Sequence, residues 1–135
     1  MAHSCDIADE AALEHFLDQV RERFGSVDIL ICNASAMGVG ADRGGWRRSI
    51  GLDLLSSVQA VQQVTPWMQQ AGSGSIILLS SIAALRGAGA PTYVTAKAAL
   101  ISYAKAMAVK QAGTPWHPRQ LLGSGLDRVS WWSMG

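Results

Sequence analysis

Apolar residues recur at helical spacing near the start of the chain and predict an amphipathic helix there. The recurring apolar positions are Leu13, Phe16, Leu17, Val20 and Phe24. Acidic residues are favourable in the first turn of a helix, and a glycine commonly follows the last turn. Asp9 and Glu10 stand at the first of these places and Gly25 at the second. We therefore predict a helix that ends at about Gly25.

Two short apolar runs follow, and each has the length of a buried strand. They cover residues 27–32 and 75–79. Between them, residues 45–70 have the pattern of a long helix, in which Pro66 is expected to kink the last part. The alanine-rich residues 93–112 predict a further helix. Apolar strands that alternate with helices indicate an α/β fold with a parallel sheet covered on both faces, although two strands are too few to complete such a sheet.

Length and composition indicate one globular domain. The chain has 135 residues, of which 49% are hydrophobic and 16% are charged, so we expect a buried core rather than a disordered chain. The formal net charge is +1 and there is no basic run, which argues against a nucleic-acid partner. The apolar runs are too short to span a bilayer, and residues 1–8 lack the features of a secretory signal. A cytoplasmic protein without a membrane partner is the expectation.

The two cysteines argue against a metal site. Cys5 and Cys32 stand far apart in the sequence, without the spacing of metal ligands. Cys32 lies in an apolar run and is predicted to be a buried free thiol, which suits a reducing compartment.

Tyr93 and Lys97 form the most informative pair of polar residues. Four residues apart in a helix, they lie on one face, one turn from each other. A phenol ordinarily keeps its proton at neutral pH, and a fixed ammonium beside it favours the phenolate. Such a pair could move a proton on or off an alcohol while a hydride moves elsewhere. A hydroxyl from Ser80 or Ser81, thirteen or twelve residues before the tyrosine, could hold a substrate carbonyl.

Several short motifs, taken in order, resemble those of the short-chain dehydrogenases/reductases. They are Asp6 in Cys-Asp-Ile, the run Val27 to Ser35, Gly74-Ser75-Ile76-Ile77, the pair Ser80-Ser81, and Tyr93-x-x-x-Lys97-Ala98-Ala99. The similarity covers roughly residues 5–112, about four fifths of the chain. It implies that residues 1–112 form part of a Rossmann-type domain, a doubly wound parallel sheet, with only its central strands and flanking helices.

The resemblance also implies a reaction, the transfer of a hydride between NAD or NADP and a carbonyl or secondary alcohol of a small molecule. Tyr93 matches the family's proton-transferring tyrosine, and Lys97 matches the lysine that favours the tyrosinate and holds the nicotinamide ribose. Ser81 matches the substrate-orienting serine by its local pattern, Ser-Ile-Ala-Ala before Gly87. The usual spacing of thirteen residues would select Ser80 instead. A one-residue deletion between Gly87 and Tyr93 would explain this conflict and favours Ser81.

Other matches concern the cofactor. Asn33, Ala34 and Ser35 fall on the Asn-Asn-Ala-Gly motif that lines the cofactor in this family, with Ser35 in place of the glycine. Asp6 matches the acidic residue beside the adenine ring. Tyr93 and Lys97 belong to the implied cofactor site as well.

Asp53 departs from the family pattern. It stands where the family usually has an asparagine that anchors a water-mediated proton relay to the lysine. An aspartate there could pair with Lys97 directly or still hold the water. The alternative is a solvated helix residue without a role.

The family's glycine-rich phosphate-binding turn should lie some fifty residues before Asp6, so it is expected to be missing here. Gly38-Val39-Gly40 follows a strand but lacks the glycine spacing of a helix entry. Two hypotheses follow: an active oxidoreductase, or a catalytically silent fragment that serves as an oligomerisation or binding module or arises from a truncated gene. Family members usually form homo-oligomers through the helices that match residues 45–70 and 93–112.

The C-terminal segment (residues 113–135) loses the periodicity and is predicted to be irregular and foreign to the fold. It holds three of the five tryptophans, so a disordered tail or an aromatic docking segment are alternatives. A third hypothesis is a shifted reading frame. Dropping one base from the codons of residues 116–120 permits Gly-Ile-Arg-Val-Asn, and the same frame later permits Ala-Pro-Gly. Family members typically continue in this way after the tyrosine helix.

Overall fold

The computed structural model describes residues 3–37, 40–111, 119–123 and 129–131. The helices are α1 (Glu10–Phe24), α2 (Arg43–Ser49), α3 (Ser56–Ala71), α4 (Ile82–Arg86) and α5 (Pro91–Gln111). The strands are β1 (Ile29–Cys32), β2 (Ser75–Leu79), β3 (Arg119–Gly123) and β4 (Val129–Trp131). A π-helical turn, Ile50–Leu55, joins α2 to α3. In the part of the chain that is described, no helix combines the length and the apolar character needed to cross a bilayer.

Helix α1 begins and ends where its sequence predicts. The side chain of Asp9 accepts hydrogen bonds from the backbone N–H groups of Ala11 and Ala12, which lack partners within the first turn. At the other end, Gly25 has a φ of 74°, a conformation that glycine adopts without steric cost. The buried side chains of Leu13 and Leu17 join the core that α1 shares with α3.

Within the described ranges, four strands form one sheet in the order β1-β2-β3-β4. β1 pairs with β2 in parallel, with Ile29 opposite Ser75, and β2 pairs with β3 in parallel. β4 is antiparallel to β3. The α/β class and the parallel pairing of the two predicted strands are therefore confirmed.

The two faces of the sheet are covered unequally. Ile76 and Leu78 of β2 are buried in the main core, which also contains Val61, Val64 and Met68 of α3. On β1, Ile29 and Ile31 are 59% and 57% exposed. The expectation of helices on both faces therefore does not hold at this strand, which is at the edge of the sheet in the part of the chain that is described.

The C-terminal segment differs from its prediction, because β3 and β4 lie within it. β3 runs beside β2 in the register Ser75–Arg119 to Leu79–Gly123. Such pairing joins backbone N–H and C=O groups, which every residue except proline offers, so it needs no alternation of apolar side chains. The rest of this segment, and Gly38 and Val39, lie outside the described residues.

The long helix predicted at residues 45–70 is three consecutive helical segments between Arg43 and Ala71. Pro66 lies inside α3, and its kink stays a prediction. The helix predicted at residues 93–112 begins earlier, at Pro91, because proline is well tolerated in a first turn. The short helix α4 follows β2 directly and has no counterpart among the predicted elements.

Candidate active site

The candidate site lies at the carboxyl ends of the neighbouring parallel strands β1 and β2. Asn33, Ala34 and Ser35 directly follow β1, and Ser80 and Ser81 directly follow β2. The carboxyl ends of parallel strands form the edge at which open α/β sheets bind ligands. Asn33 and Ala34 are exposed there, whereas Ser35 is half-buried.

Lys97 of α5 extends into this region with a side chain that is only 3% exposed. Its Nζ donates a hydrogen bond of 3.0 Å to the backbone carbonyl of Leu79, the last residue of β2. The same ammonium lies 3.8 Å from Oδ1 of Asp53. It also lies 5.8 Å from the ring centroid of Tyr93, one turn earlier in the helix, so the predicted common face is confirmed.

Burial and charge act on Lys97 in opposite directions. Desolvation lowers the pKa of Lys97 below its ordinary 10.5, because burial penalises the charged ammonium. The nearby carboxylate of Asp53 and, to a smaller extent, the thiol of Cys32 raise that pKa again. The net effect is a lowered pKa, so this lysine releases its proton more readily than a lysine in water.

Asp53 is fully buried in the π-helical turn and accepts three hydrogen bonds. Ser35 Oγ donates to Oδ1 at 2.5 Å, and the backbone N–H of Ala36 donates to the same oxygen at 3.0 Å. Ser49 Oγ donates to Oδ2 at 2.7 Å. The interpretation of Asp53 as a solvated helix residue is therefore wrong, since this carboxylate faces Lys97 at ion-pair distance.

The two serines after β2 make different contacts. Ser80 is buried, and its hydroxyl donates to the backbone carbonyl of Lys97 at 2.7 Å, which ties the end of β2 to α5. Ser81 is half-buried and caps α4, where its Oγ accepts from the backbone N–H of Ala83 at 3.2 Å. The Ser81 hydroxyl thus accepts in the cap and still has a proton to donate.

Asp6 lies in the turn that precedes α1. Its Oδ1 accepts from the backbone N–H of Ala8 at 3.0 Å, and its side chain is exposed. Ser35, Asp53, Tyr93 and Lys97 are brought together by the contacts above, whereas no described contact joins Asp6 to them. Its adenine-binding role stays a prediction.

Sequence reasoning missed Ser49 and the part that Cys32 plays beside Lys97. Ser49 stands four residues before Asp53, and this spacing was the available signal. Burial raises the pKa of Cys32 and outweighs the lowering by a hydrogen bond with Ser57 and by the charge of Lys97, so the pKa rises from 9.0 to about 11. The predicted buried free thiol is half-buried rather than fully buried.

A family model described as "short chain dehydrogenase" matches residues 1–114. The chain belongs to this family. A relative named as an uncharacterised short-chain type dehydrogenase/reductase, from Sinorhizobium fredii, is 36% identical over 111 residues, which are 77% of this chain and 44% of that protein. The chain thus spans less than half the length of this curated relative.

Solved structures give the same fold. The crystal structure of a short-chain dehydrogenase from Streptomyces avermitilis has a TM-score of 0.81 and 28% identity, and the match covers 88% of this chain and 45% of that one. The structure of ElxO with NADP bound has a TM-score of 0.75 and 25% identity, over 82% of this chain and 47% of that one. The predicted partial Rossmann-type fold is confirmed.

Proposed function

We propose that the chain is the catalytic part of an NAD(P)-dependent oxidoreductase that transfers a hydride between nicotinamide and a carbonyl or secondary alcohol. The observation that carries this proposal is the buried pair of Lys97 and Asp53 beside the ring of Tyr93, where β1 and β2 end. Family membership supports it, and so does the likeness to ElxO, which binds NADP.

In this proposal, Tyr93 is the acid/base. Its hydroxyl gives a proton to the substrate oxygen during reduction and takes one from the alcohol during oxidation. The Lys97 ammonium, one helical turn from this ring, balances the negative charge that remains on Tyr93 after the proton has moved. The Ser81 hydroxyl holds the substrate oxygen, while Ser80 supports α5 through the backbone of Lys97.

The donor set fits the nicotinamide end of such a cofactor. Lys97 would donate ammonium protons to the ribose hydroxyls of the cofactor, and Asn33 and Ala34 are exposed after the end of β1, where they would line it. Ser35 belongs to the same motif but donates to Asp53, and Asp6 would contact the adenine. The bound cofactor would supply or accept the hydride.

The wider setting of this proposal follows from family membership. The substrate is a small molecule, and the protein works in the cytoplasm. Copies associate through α3 and α5, the helices that fall in residues 45–70 and 93–112.

Cofactor titration tests the proposal directly. Purified protein is titrated with NADH and NADPH while nicotinamide fluorescence is recorded. We expect saturable binding that Lys97→Ala abolishes and Tyr93→Phe retains, since the ring persists and only the hydroxyl is lost. With substrate present, Tyr93→Phe should remove turnover. Absence of binding at millimolar cofactor would overturn the proposal.

A second candidate is a catalytically silent module for oligomerisation or binding. It is favoured by the open edge of β1 and by the exposed side chains of Ile29 and Ile31, which form a sheet surface suited to association. Association measured by light scattering, together with absent cofactor binding, would support this candidate. Replacing both isoleucines by threonine should then reduce the association.

A further inference from the structure

We propose that Ser49 is a positioning residue that acts through Asp53, holding the carboxylate, together with Ser35, as the direct counter-ion of Lys97. The effect of Ser49 on catalysis rests on the proposed function. The contacts themselves involve only side chains of this chain and do not require a bound cofactor.

The first step of the argument is the division of the hydrogen bonds between the two carboxylate oxygens. Ser35 and Ala36 both donate to Oδ1, and Ser49 donates to Oδ2 at 2.7 Å. A carboxylate that receives donors on both oxygens cannot rotate without breaking one set. Without Ser49, Oδ2 would be a buried charged oxygen that has lost a donor, and rotation would become favourable.

The second step is the geometry of the helix. Ser49 is the last residue of α2 and Asp53 lies in the π-helical turn that follows it. Both side chains are fully buried, at 0% exposure. The serine hydroxyl is therefore shielded from water, and its hydrogen bond to a charged acceptor is stronger than a solvent-exposed one. Single π-helical turns inside α-helices frequently occur at functional sites.

The third step is the surroundings of the lysine. The groups that face its ammonium are Asp53 from the π-helical turn, the Cys32 thiol from β1, the Leu79 carbonyl from β2 and the Tyr93 ring from α5 itself. Asp53 is the largest of the influences that raise the lysine's pKa. A change in the orientation of this carboxylate must therefore change the protonation of Lys97.

The experiment measures the titration of Lys97 in the protein without cofactor. Lysine side chains labelled with ¹³C at Cε are followed by NMR from neutral to alkaline pH, and Lys97→Arg assigns the signal. Asp53→Asn should lower the pKa of Lys97 by about 1 unit or more, the effect of losing an adjacent opposite charge. Ser49→Ala should lower it by a smaller but resolved amount, and Ser49→Thr, which restores a hydroxyl, should move it back.

Two controls separate positioning from a merely structural role. Ser56→Ala removes a buried hydroxyl that donates to the Leu52 carbonyl rather than to Asp53, so it should leave the titration of Lys97 unchanged. In the Asp53→Asn background, Ser49→Ala should cause no further shift. If the Ser49 variants do not fold, Ser35→Ala at a half-buried site removes a donor to Oδ1 of Asp53, and the pKa of Lys97 is measured in the same way.

The inference would be overturned if the pKa of Lys97 were unchanged in folded Ser49→Ala and Ser35→Ala proteins. It would also be overturned if Ser49→Ala shifted the pKa of Lys97 equally in the unaltered protein and in the Asp53→Asn background. The proposed function fails on a different observation, the absence of cofactor binding by the unaltered protein. If the protein turns over substrate, the pH–rate profile of Ser49→Ala should shift in the same direction as the titration of Lys97.

Discussion

The ammonium of Lys97 and the carboxylate of Asp53 lie 3.8 Å apart, with side chains that are 3% and 0% exposed. Their other partners are unequal in number. Among the residues that the structure describes, Asp53 accepts three further hydrogen bonds, whereas Lys97 donates one, to the backbone carbonyl of Leu79. Loss of the carboxylate therefore leaves the lysine poorly compensated, while loss of the lysine leaves the carboxylate well bound.

Replacing Asp53 by leucine should lower the free energy of unfolding by about 3–5 kcal/mol, the usual effect of leaving a buried charge without its partner. Lys97→Met should cost less, because Asp53 keeps its donors from Ser35, Ala36 and Ser49. Urea denaturation of both single variants measures the difference. The double variant serves as the control and should be less destabilised than the two single effects added together. Simple additivity would show that the pair is not coupled.

The lowered pKa of Lys97 predicts a particular dependence of stability on pH. The folded protein releases the Lys97 proton at a lower pH than the unfolded chain, whose lysine titrates near 10.5. Between those two values the unfolded state binds more protons, so this group makes stability rise with pH. The Cys32 thiol acts oppositely: its contribution is present below pH 9.0 and is lost as the pH rises through about 11.

Unfolding in urea from pH 8 to 11 tests both the rise in stability from Lys97 and the fall in stability from Cys32. Lys97→Met removes the rising contribution, so its stability should fall more steeply with pH than that of the unaltered protein. Cys32→Ala removes the falling contribution and should have the opposite effect. Parallel pH profiles for all three proteins would contradict the assignment.

Much of this fold is predictable because local signals agree with the final structure. Apart from Ser75, β1 and β2 consist of isoleucine, leucine and cysteine, a composition that suits buried strands. Helix α1 has a helical period and a cap at both ends. The Tyr93–Lys97 pair is predictable since residues four apart in a helix always share a face. These features depend on neighbours in the sequence.

Other features depend on contacts that the sequence does not encode locally. The environment of Asp53 depends on a π-helical turn and on Ser35, which follows β1 and precedes Asp53 by 18 residues in the sequence. The different contacts of Ser80 and Ser81 arise from α4, which begins directly after them. β3 joins the sheet through backbone pairing with β2, which requires no alternation of apolar side chains, so the sequence pattern did not predict this strand.

Cys32 should react slowly with alkylating reagents despite its place beside a lysine. At neutral pH, a thiol whose pKa is about 11 rather than 9.0 contains about one hundredth as much thiolate, and the thiolate is the nucleophile. The rate of reaction with iodoacetamide, measured by intact mass in a Cys5→Ser background, checks this. Lys97→Met should slow the reaction further, because the lysine lowers the pKa of Cys32. Equal rates in the folded protein and in urea would refute the prediction.

Gly74 should resist replacement by any larger residue. Its φ is 157°, and a Cβ added there would lie 2.5 Å from both Cγ and Sδ of Met68, which is fully buried in the core. Gly74→Ala should therefore lower the free energy of unfolding by about 1–3 kcal/mol through overpacking. Gly72→Ala is the matched control, since its φ of 69° carries backbone strain but no atom lies within 4 Å of the added Cβ. Urea denaturation should show a smaller loss at Gly72, and an equal or larger loss would contradict the packing argument.

The gene should show a shifted reading frame from about codon 113. The family match ends at residue 114, and the codons of residues 116–120 permit Gly-Ile-Arg-Val-Asn when one base is dropped. That frame would supply Ile and Val beside the start of β3, and such β-branched residues suit a strand that pairs with β2. Sequencing the gene and its transcript checks whether the shifted frame reads Arg-Val-Asn and then Pro-Gly. If it does, a chain expressed in the shifted frame should unfold at a higher temperature than the present chain. A stop codon before the Pro-Gly codons would end the hypothesis.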